Sequence, residues 1–247
     1  MPPTDASDSF FGVRVLVTGA SAGIGRETAR QFSSRGADVL ATGLEDAPLA
    51  ELAAQASGAG LKLRKIAGDV TDLAFLHRLS NMAGDVDVLV NCAGWVKHAP
   101  FLESDPADWE KVFAVNVIGI LRLTQLVARG MCDRRKGHII NISSILARRV
   151  YPYTLAYAAT KHAIRAITDG LRIEFQGSNV KVTEIAPGLT DTDIFRDIDH
   201  PLVKQQYAKF NFTRLEPREV VRAILFAAAA PPESCPEVLA VNPLGQA

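Results

Sequence analysis

Short apolar runs alternate with longer stretches in which apolar residues recur every three or four positions, and the alternation continues along the whole chain. Brief runs rich in β-branched residues read as buried strands, and the longer periodic stretches read as helices packed on them. Strands are expected over 13–17, 36–43 (after a turn), 61–66, 87–90, 137–142, 180–186 and 237–241. Helices are expected from about 25 to 35, over 48–57, from near 72, and over 106–131, 153–175 and 217–229. Strands and helices in strict alternation give an α/β fold with a doubly wound parallel sheet flanked by helices. No repeat, low-complexity tract or linker divides the chain, so one domain is expected over 11–247, preceded by a loose tail over 1–10. The stretch 194–212 has weak periodicity and mixes aromatic with charged residues. It reads as a mobile substrate lid, about 192–214, or as a plain surface helix.

Composition narrows the function. Lys and Arg number 27 and Asp and Glu number 27. That balance lacks the basic surface needed to bind nucleic acid or an acidic membrane. No apolar run reaches the length of a membrane span, and the polar, acidic N-terminus is no secretory signal. Cys92, Cys132 and Cys235 are odd in number and widely spaced, so neither a disulfide frame nor a metal site is expected, and a reducing, cytoplasmic setting is.

The first expected strand runs into Thr18-Gly19-Ala20-Ser21-Ala22-Gly23-Ile24-Gly25 and then a helix. Glycines in that place allow a tight turn and a close backbone approach to a pyrophosphate, which the helix N-terminus attracts. The end of the second strand selects between dinucleotides. An acid there bonds the adenosine ribose of NAD, whereas a base accepts the 2′-phosphate of NADP. Here Gly43 and Leu44 stand at that end, followed by Glu45 and Asp46. Two acids repel a phosphate, which favours NAD(H) over NADP(H), although both acids also suit the first turn of a helix. Asp69, just past the third strand, either grips an adenine or caps the next helix. Asn91-Cys92-Ala93-Gly94 and Pro187-Gly188-Leu189-Thr190-Asp191-Thr192 follow the fourth and sixth strands, at the carboxyl ends where such sheets bind ligands. Asn91 either touches that ligand or braces the sheet.

Tyr157 and Lys161 stand four apart on one expected helix and so share a face. An ammonium beside a phenol favours the phenolate and brings its proton exchange nearer neutrality. Ser144, thirteen positions upstream at a strand end, is placed to bond a carbonyl oxygen that the Tyr also touches. Asn116 lies in the middle of a helix, where Asn is a poor former. It either bonds within a kink or holds two helices together.

Taken in order, Thr18-Gly19-x-x-x-Gly23-x-Gly25, Asn91-Cys92-Ala93-Gly94, Ser144 and Tyr157-x-x-x-Lys161 resemble the classical short-chain dehydrogenases/reductases, over nearly the whole chain. The resemblance implies a Rossmann-type fold and a nicotinamide-dependent exchange of hydride between an alcohol and a ketone. It implies that Tyr157 is the general acid/base, that Lys161 lowers its pKa and binds the nicotinamide ribose, that Ser144 polarises the carbonyl, and that Asn116 holds a relay water behind the Lys. Gly19, Ser21, Gly23, Ile24 and Gly25 would meet the diphosphate, Gly43 and Leu44 the adenosine ribose, and Asp69 and Val70 the adenine. Asn91, Ala93 and Gly94 would line the cofactor, and Pro187, Gly188, Thr190 and Thr192 would hold the carboxamide end. Trp95, Leu146, Tyr151, Leu189 and Phe195 are the expected substrate pocket, with His98, Arg148 and Arg149 read as surface. The substrate is expected to be a small polar hydroxy or keto compound. A reductase of ketoacyl groups on an acidic carrier is the alternative, favoured by the basic set Arg129, Arg134, Arg135, Lys136, Arg148 and Arg149. A non-catalytic nucleotide-binding regulator is less compatible, because Tyr157 and Lys161 are both present. The family also implies a homo-oligomer, a tetramer or dimer, built on the two long helices.

Overall fold

The computed structural model describes residues 9–196 and 198–246. Seven parallel strands form one sheet: β1 (Arg14–Val17), β2 (Asp38–Gly43), β3 (Leu63–Ala67), β4 (Val88–Asn91), β5 (Gly137–Ile142), β6 (Val180–Pro187) and β7 (Val238–Val241). Their order across the sheet is β3-β2-β1-β4-β5-β6-β7. Parallel strands need crossovers, and helices supply them: α1 (Gly23–Ser34), α2 (Asp46–Gly58), α3 (Leu73–Ala83), α4 (Pro106–Phe113), α5 (Ile120–Asp133), α6 (Leu155–Glu174), α7 (Pro201–Ala208) and α8 (Pro217–Ala228).

Because side chains alternate across a strand, the two faces feed separate cores. Val15, Val17, Val39 and Ile140 pack with Phe32 of α1, Leu52 of α2 and Ile224 of α8. Leu16, Leu40, Leu89 and Ile139 pack on the other side with Leu76 of α3 and Leu123 and Met131 of α5. A sheet covered on both faces explains why its strands read as apolar runs rather than as alternating patterns.

The switch in strand order lies between β1 and β4, where the chain leaves in one direction through β2 and β3 and in the other through β5 to β7. The carboxyl ends of β1 and β4 therefore open a crevice. Thr18 ties its two lips together: its hydroxyl accepts from the backbone N–H groups of Cys92 (3.0 Å) and Ala93 (2.9 Å).

Three sequence expectations change. Of the tail expected over 1–10, residues 1–8 lie outside the described residues, and Phe10 is no tail. It is 5% exposed and packs edge-on against Phe32 at 4.8 Å. The long helix 106–131 is two helices joined by a π-helical turn over Ala114–Gly119, into which Asn116 falls. The stretch Pro106–Asp133 is also long and apolar enough, by length and composition, to cross a membrane, contrary to the reading that no run is. Half of its most apolar 18-residue segment is buried in this fold, since that segment's apolar face belongs to the core beside β4 and β5.

Candidate active site

A cleft of about 450 Å³ runs along the carboxyl ends of the strands, from Glu45 past the glycine turn to Tyr157 and α7. At one end, β1 turns directly into α1. Gly19 and Gly23 have φ of +68° and +53°, a left-handed backbone that glycine adopts without strain. A Cβ on Gly23 would lie 2.9 Å from Thr192, and one on Gly25 would fall on the backbone of Gly19. Ala22, at the N-cap of α1, supplies no side-chain cap, so the first N–H groups of the helix stay open to an anion. The groove thus fits a dinucleotide: it offers uncapped donors beside glycines that bring the backbone close, with the Thr192 side chain next to Gly23.

At the end of β2 a Cβ on Gly43 would fall on the Ser21 hydroxyl, which donates to the Glu45 carbonyl at 3.2 Å. Leu44 is 70% exposed and lines the cleft. Glu45 does not repel a phosphate unopposed, because its carboxylate is paired with Arg196 at 2.8 Å. Asp46 opens α2 and pairs with Lys65. Asp69 lines the cleft and bonds the Thr71 N–H at 2.8 Å. The cap of α3 is Asp72 instead, which accepts from Ala74 at 2.8 Å. Val70, Ala93, Gly94, Pro187, Gly188, Thr190 and Thr192 also line the cleft.

Asn91 does not line it. Its side chain is buried and donates to Thr124 (3.0 Å) and Asn141 (2.8 Å), so it braces β4 against β5 and α5. The expected cofactor contact is corrected here, and the reason is register: Asn91 is the last strand residue and points into the sheet. Asn116 likewise has no free end toward the cleft. Its amide accepts from the Trp95 N–H (2.8 Å) and donates to the Trp95 carbonyl (3.0 Å) and to Thr160 (3.2 Å). It pins the loop after β4 onto α6.

Tyr157, Lys161 and Ser144 converge on the cleft wall. Ser144 begins a short 3-10 turn and its oxygen accepts from the Leu146 N–H at 3.1 Å. That bond leaves the Ser144 proton free to donate. The Lys161 ammonium donates to the Ile142 carbonyl at 3.0 Å, which anchors it and leaves two of its three donors. One electrostatic expectation fails. Burial, reinforced by the neighbouring Tyr207 and Cys92, holds the Tyr157 pKa above the ordinary phenol value. Lys161 is buried too, and desolvation lowers its own pKa to about 8. The i,i+4 spacing puts its nitrogen 5.4 Å from the centre of the Tyr157 ring. Desolvation is the dominant influence on the phenol in the nucleotide-free protein.

Trp95, Leu146, Tyr151, Leu189 and Phe195 all line the cleft, as expected. Tyr207 and Phe210, from the stretch read as a lid, also line it, and Gln246, which sequence reading missed, closes it from the C-terminal end. Gln246 accepts from the Leu189 N–H at 2.8 Å. His98 is not surface but 1% exposed. Arg148 turns its guanidinium onto Glu184, a fully buried carboxylate, in a two-point pair at 2.8 and 2.6 Å. Ser143 donates to the same carboxylate. No local signal marks any of these partnerships.

Residues 13–202 match the model of the short chain dehydrogenase family. The chain is a classical short-chain dehydrogenase/reductase. Relatives of this dehydrogenase include an uncharacterized oxidoreductase from Staphylococcus saprophyticus, 33% identical over 94% of this chain and 96% of that one. A 2-keto-3-deoxy-L-fuconate dehydrogenase from Xanthomonas campestris is 32% identical over 92% and 77%. A 3-oxoacyl-[acyl-carrier-protein] reductase from Thermotoga maritima is 31% identical over 87% and 89%. Among solved structures, a closed serine dehydrogenase complexed with NADP+ superposes with a TM-score of 0.88, at 31% identity over 94% and 96% of the two chains. The short-chain dehydrogenase fold is thus shared with a protein that holds a nicotinamide dinucleotide.

Proposed function

We propose that this oxidoreductase exchanges a hydride between a nicotinamide cofactor and the secondary alcohol or ketone of a small polar hydroxy compound. The observation that carries the reading is one continuous cleft with an uncapped helix N-terminus at one end and Ser144, Tyr157 and Lys161 at the other. When bound, the nicotinamide supplies or takes up the hydride. The chain does the rest. Ser144 donates its free proton to the substrate oxygen and fixes its place. Tyr157 gives that oxygen a proton in reduction and removes it in oxidation. Its raised pKa keeps it protonated and ready to act as an acid, and a cationic group arriving beside it would make it a better base. The two open donors of Lys161 suit ribose hydroxyls. Tyr157→Phe should lower turnover by about 10²–10⁴-fold and leave nucleotide binding intact, as read by steady-state kinetics and by a fluorescence titration. Normal turnover in that variant would remove Tyr157 from the role.

Leu44 and Glu45 at the end of β2 support NAD(H) as the cofactor. Separate titrations with NADH and NADPH test this. Tighter NADPH binding would mean that Arg196, not Glu45, meets the ribose.

The carrier-linked ketoacyl reductase is the second reading, and the Thermotoga relative supports it. The basic set that favoured it is depleted in the fold, for Arg134 pairs with Asp85, Lys136 with Asp87 and Arg148 with Glu184. Turnover of a ketoacyl thioester in preference to free hydroxy compounds would make it the better account. For assembly we propose a homo-oligomer through the helical stretch 106–133, where Phe113, Ile118 and Leu121 are exposed. Light scattering on the purified protein tests that, and a monomeric mass would overturn it.

A further inference from the structure

His98 and Tyr207 form a pair that neither the hydride chemistry nor the dinucleotide groove accounts for. The His98 ring stands 5.6 Å from the ring of Tyr157, edge to face, and 6.0 Å from that of Tyr207, stacked. The same imidazole thus props the catalytic phenol and a second phenol from α7. Its Nδ1 lies 3.0 Å from the Tyr207 hydroxyl. Its Nε2 is buried and has no hydrogen-bond partner among the described residues. Burial lowers the His98 pKa to about 4, so the ring is neutral, with one donor and one acceptor nitrogen.

The orphan nitrogen decides which is which. If Nδ1 accepted the Tyr207 proton, a buried N–H would be left without an acceptor. If Nδ1–H donates to the Tyr207 oxygen, only a lone pair is left over. Orphaned buried N–H groups are the rarer of the two. In the second arrangement the Tyr207 proton points away from His98, and Tyr207 lines the cleft.

We propose that Tyr207, oriented by His98, is a substrate-binding donor on the lid, and that the substrate carries a second acceptor oxygen besides the reacting one. That defines its class as a diol, a polyol or a hydroxy or keto acid rather than a simple alcohol. The inference rests on the oxidoreductase reading and names what the same site selects. Phe195 and Phe210 pack against the Tyr207 ring and offer its hydroxyl no competing donor, while Gln206 lines the cleft beside them. A pocket built to bond a substrate oxygen discriminates strongly against the analogue that lacks it.

Two measurements test the proposal. Matched C4–C6 secondary alcohols, with and without a second hydroxyl or a carboxylate, are assayed with both nicotinamides in the wild type, Tyr207→Phe and Tyr157→Phe. The wild type should prefer the doubly oxygenated member of each pair. Tyr207→Phe should reduce that preference roughly tenfold to hundredfold, mainly through KM. An unchanged preference, or equal loss on both members, overturns the role of Tyr207. Tyr157→Phe should lower turnover of both members alike, by about 10²–10⁴-fold. Failure of that control would strike the oxidoreductase reading, whereas the Tyr207 comparison bears on substrate selection alone. The second measurement is the ¹⁵N spectrum of histidine-labelled protein. A neutral His98 protonated at Nδ1 is expected, and protonation at Nε2 would overturn the arrangement whatever the kinetics show.

Discussion

Removing Arg148 should be far more damaging than its place at the surface suggests. Arg148→Ala leaves Glu184 as a buried carboxylate with only Ser143 to bond it among the described residues. Breaking a buried ion pair by deleting one partner costs about 3–5 kcal/mol. The Arg148 side chain is 31% exposed, so water enters the space it vacates, and the low end, about 3 kcal/mol, is the better figure. For a chain of this size that lowers Tm by about 6–12 °C. Urea or thermal unfolding would read it directly. The pH dependence supplies a second readout. In the wild type Arg148 and Ser143 hold the Glu184 pKa below the ordinary carboxylate value, against the pull of burial. That stabilisation is present above the unfolded pKa and fades as pH falls through the folded one. In Arg148→Ala, burial is opposed only by the Ser143 bond and the more distant Arg165, and the Glu184 pKa rises. The penalty is then present at neutral pH and is relieved as the carboxyl protonates. The gap between the two proteins should therefore narrow from pH 7 to pH 4. Adding Glu184→Gln to Arg148→Ala should recover part of the loss, as coupled neighbours do. A cost below about 1 kcal/mol that does not change with pH would refute the buried-charge argument.

Three further outcomes follow from the site. Lys161 has a folded pKa near 8 against about 10.4 unfolded, so burying its charge costs stability below pH 8 and the cost is relieved as pH rises. Nucleotide-free protein should gain stability between about pH 8 and 10, and Lys161→Met should remove that gain in melting curves. Gly43→Ala puts a methyl group on the Ser21 hydroxyl and should weaken dinucleotide binding roughly tenfold or more in a fluorescence titration. Gly58→Ala, where a Cβ meets nothing within 4 Å, should leave binding unchanged. Arg196→Ala frees the Glu45 carboxylate and should worsen NADPH binding more than NADH binding; the reverse order would place Glu45 away from the ribose.

The strands were legible because a sheet buried on both faces writes itself as plain apolar runs. Strand ends moved by one or two residues, from 87–90 to Val88–Asn91 for instance. The glycine turn was legible because its chemistry is local: backbone conformation and helix N-terminus lie within eight residues. What stayed hidden depends on distance along the chain. His98 and Tyr207 are 109 residues apart and Arg148 and Glu184 are 36 apart, and nothing near either partner announces the other. Asn91 was open to two readings because a strand-end Asn faces either the ligand or the sheet, and only the register chooses. The expected lowering of the Tyr157 pKa was a local argument from spacing. It failed because burial is a property of the whole fold.

The π-helical turn at Ala114–Gly119 has a consequence for how this stretch tolerates change. One residue more than an α-helical turn shifts everything after it by roughly 100° about the helix axis. Before the turn, Val112 faces the aromatic cluster around Tyr157. After it, Leu123, Val127 and Met131 face the core on the sheet. The extra residue acts as a phase adjuster that lets two surfaces with different bearings be met by one unbroken rod. A single-residue deletion anywhere in 114–119 would restore ordinary winding and aim one of those two faces at water, whereas most point substitutions on the exposed side would leave the phase untouched. Sequence length through this turn is therefore under tighter constraint than sequence identity.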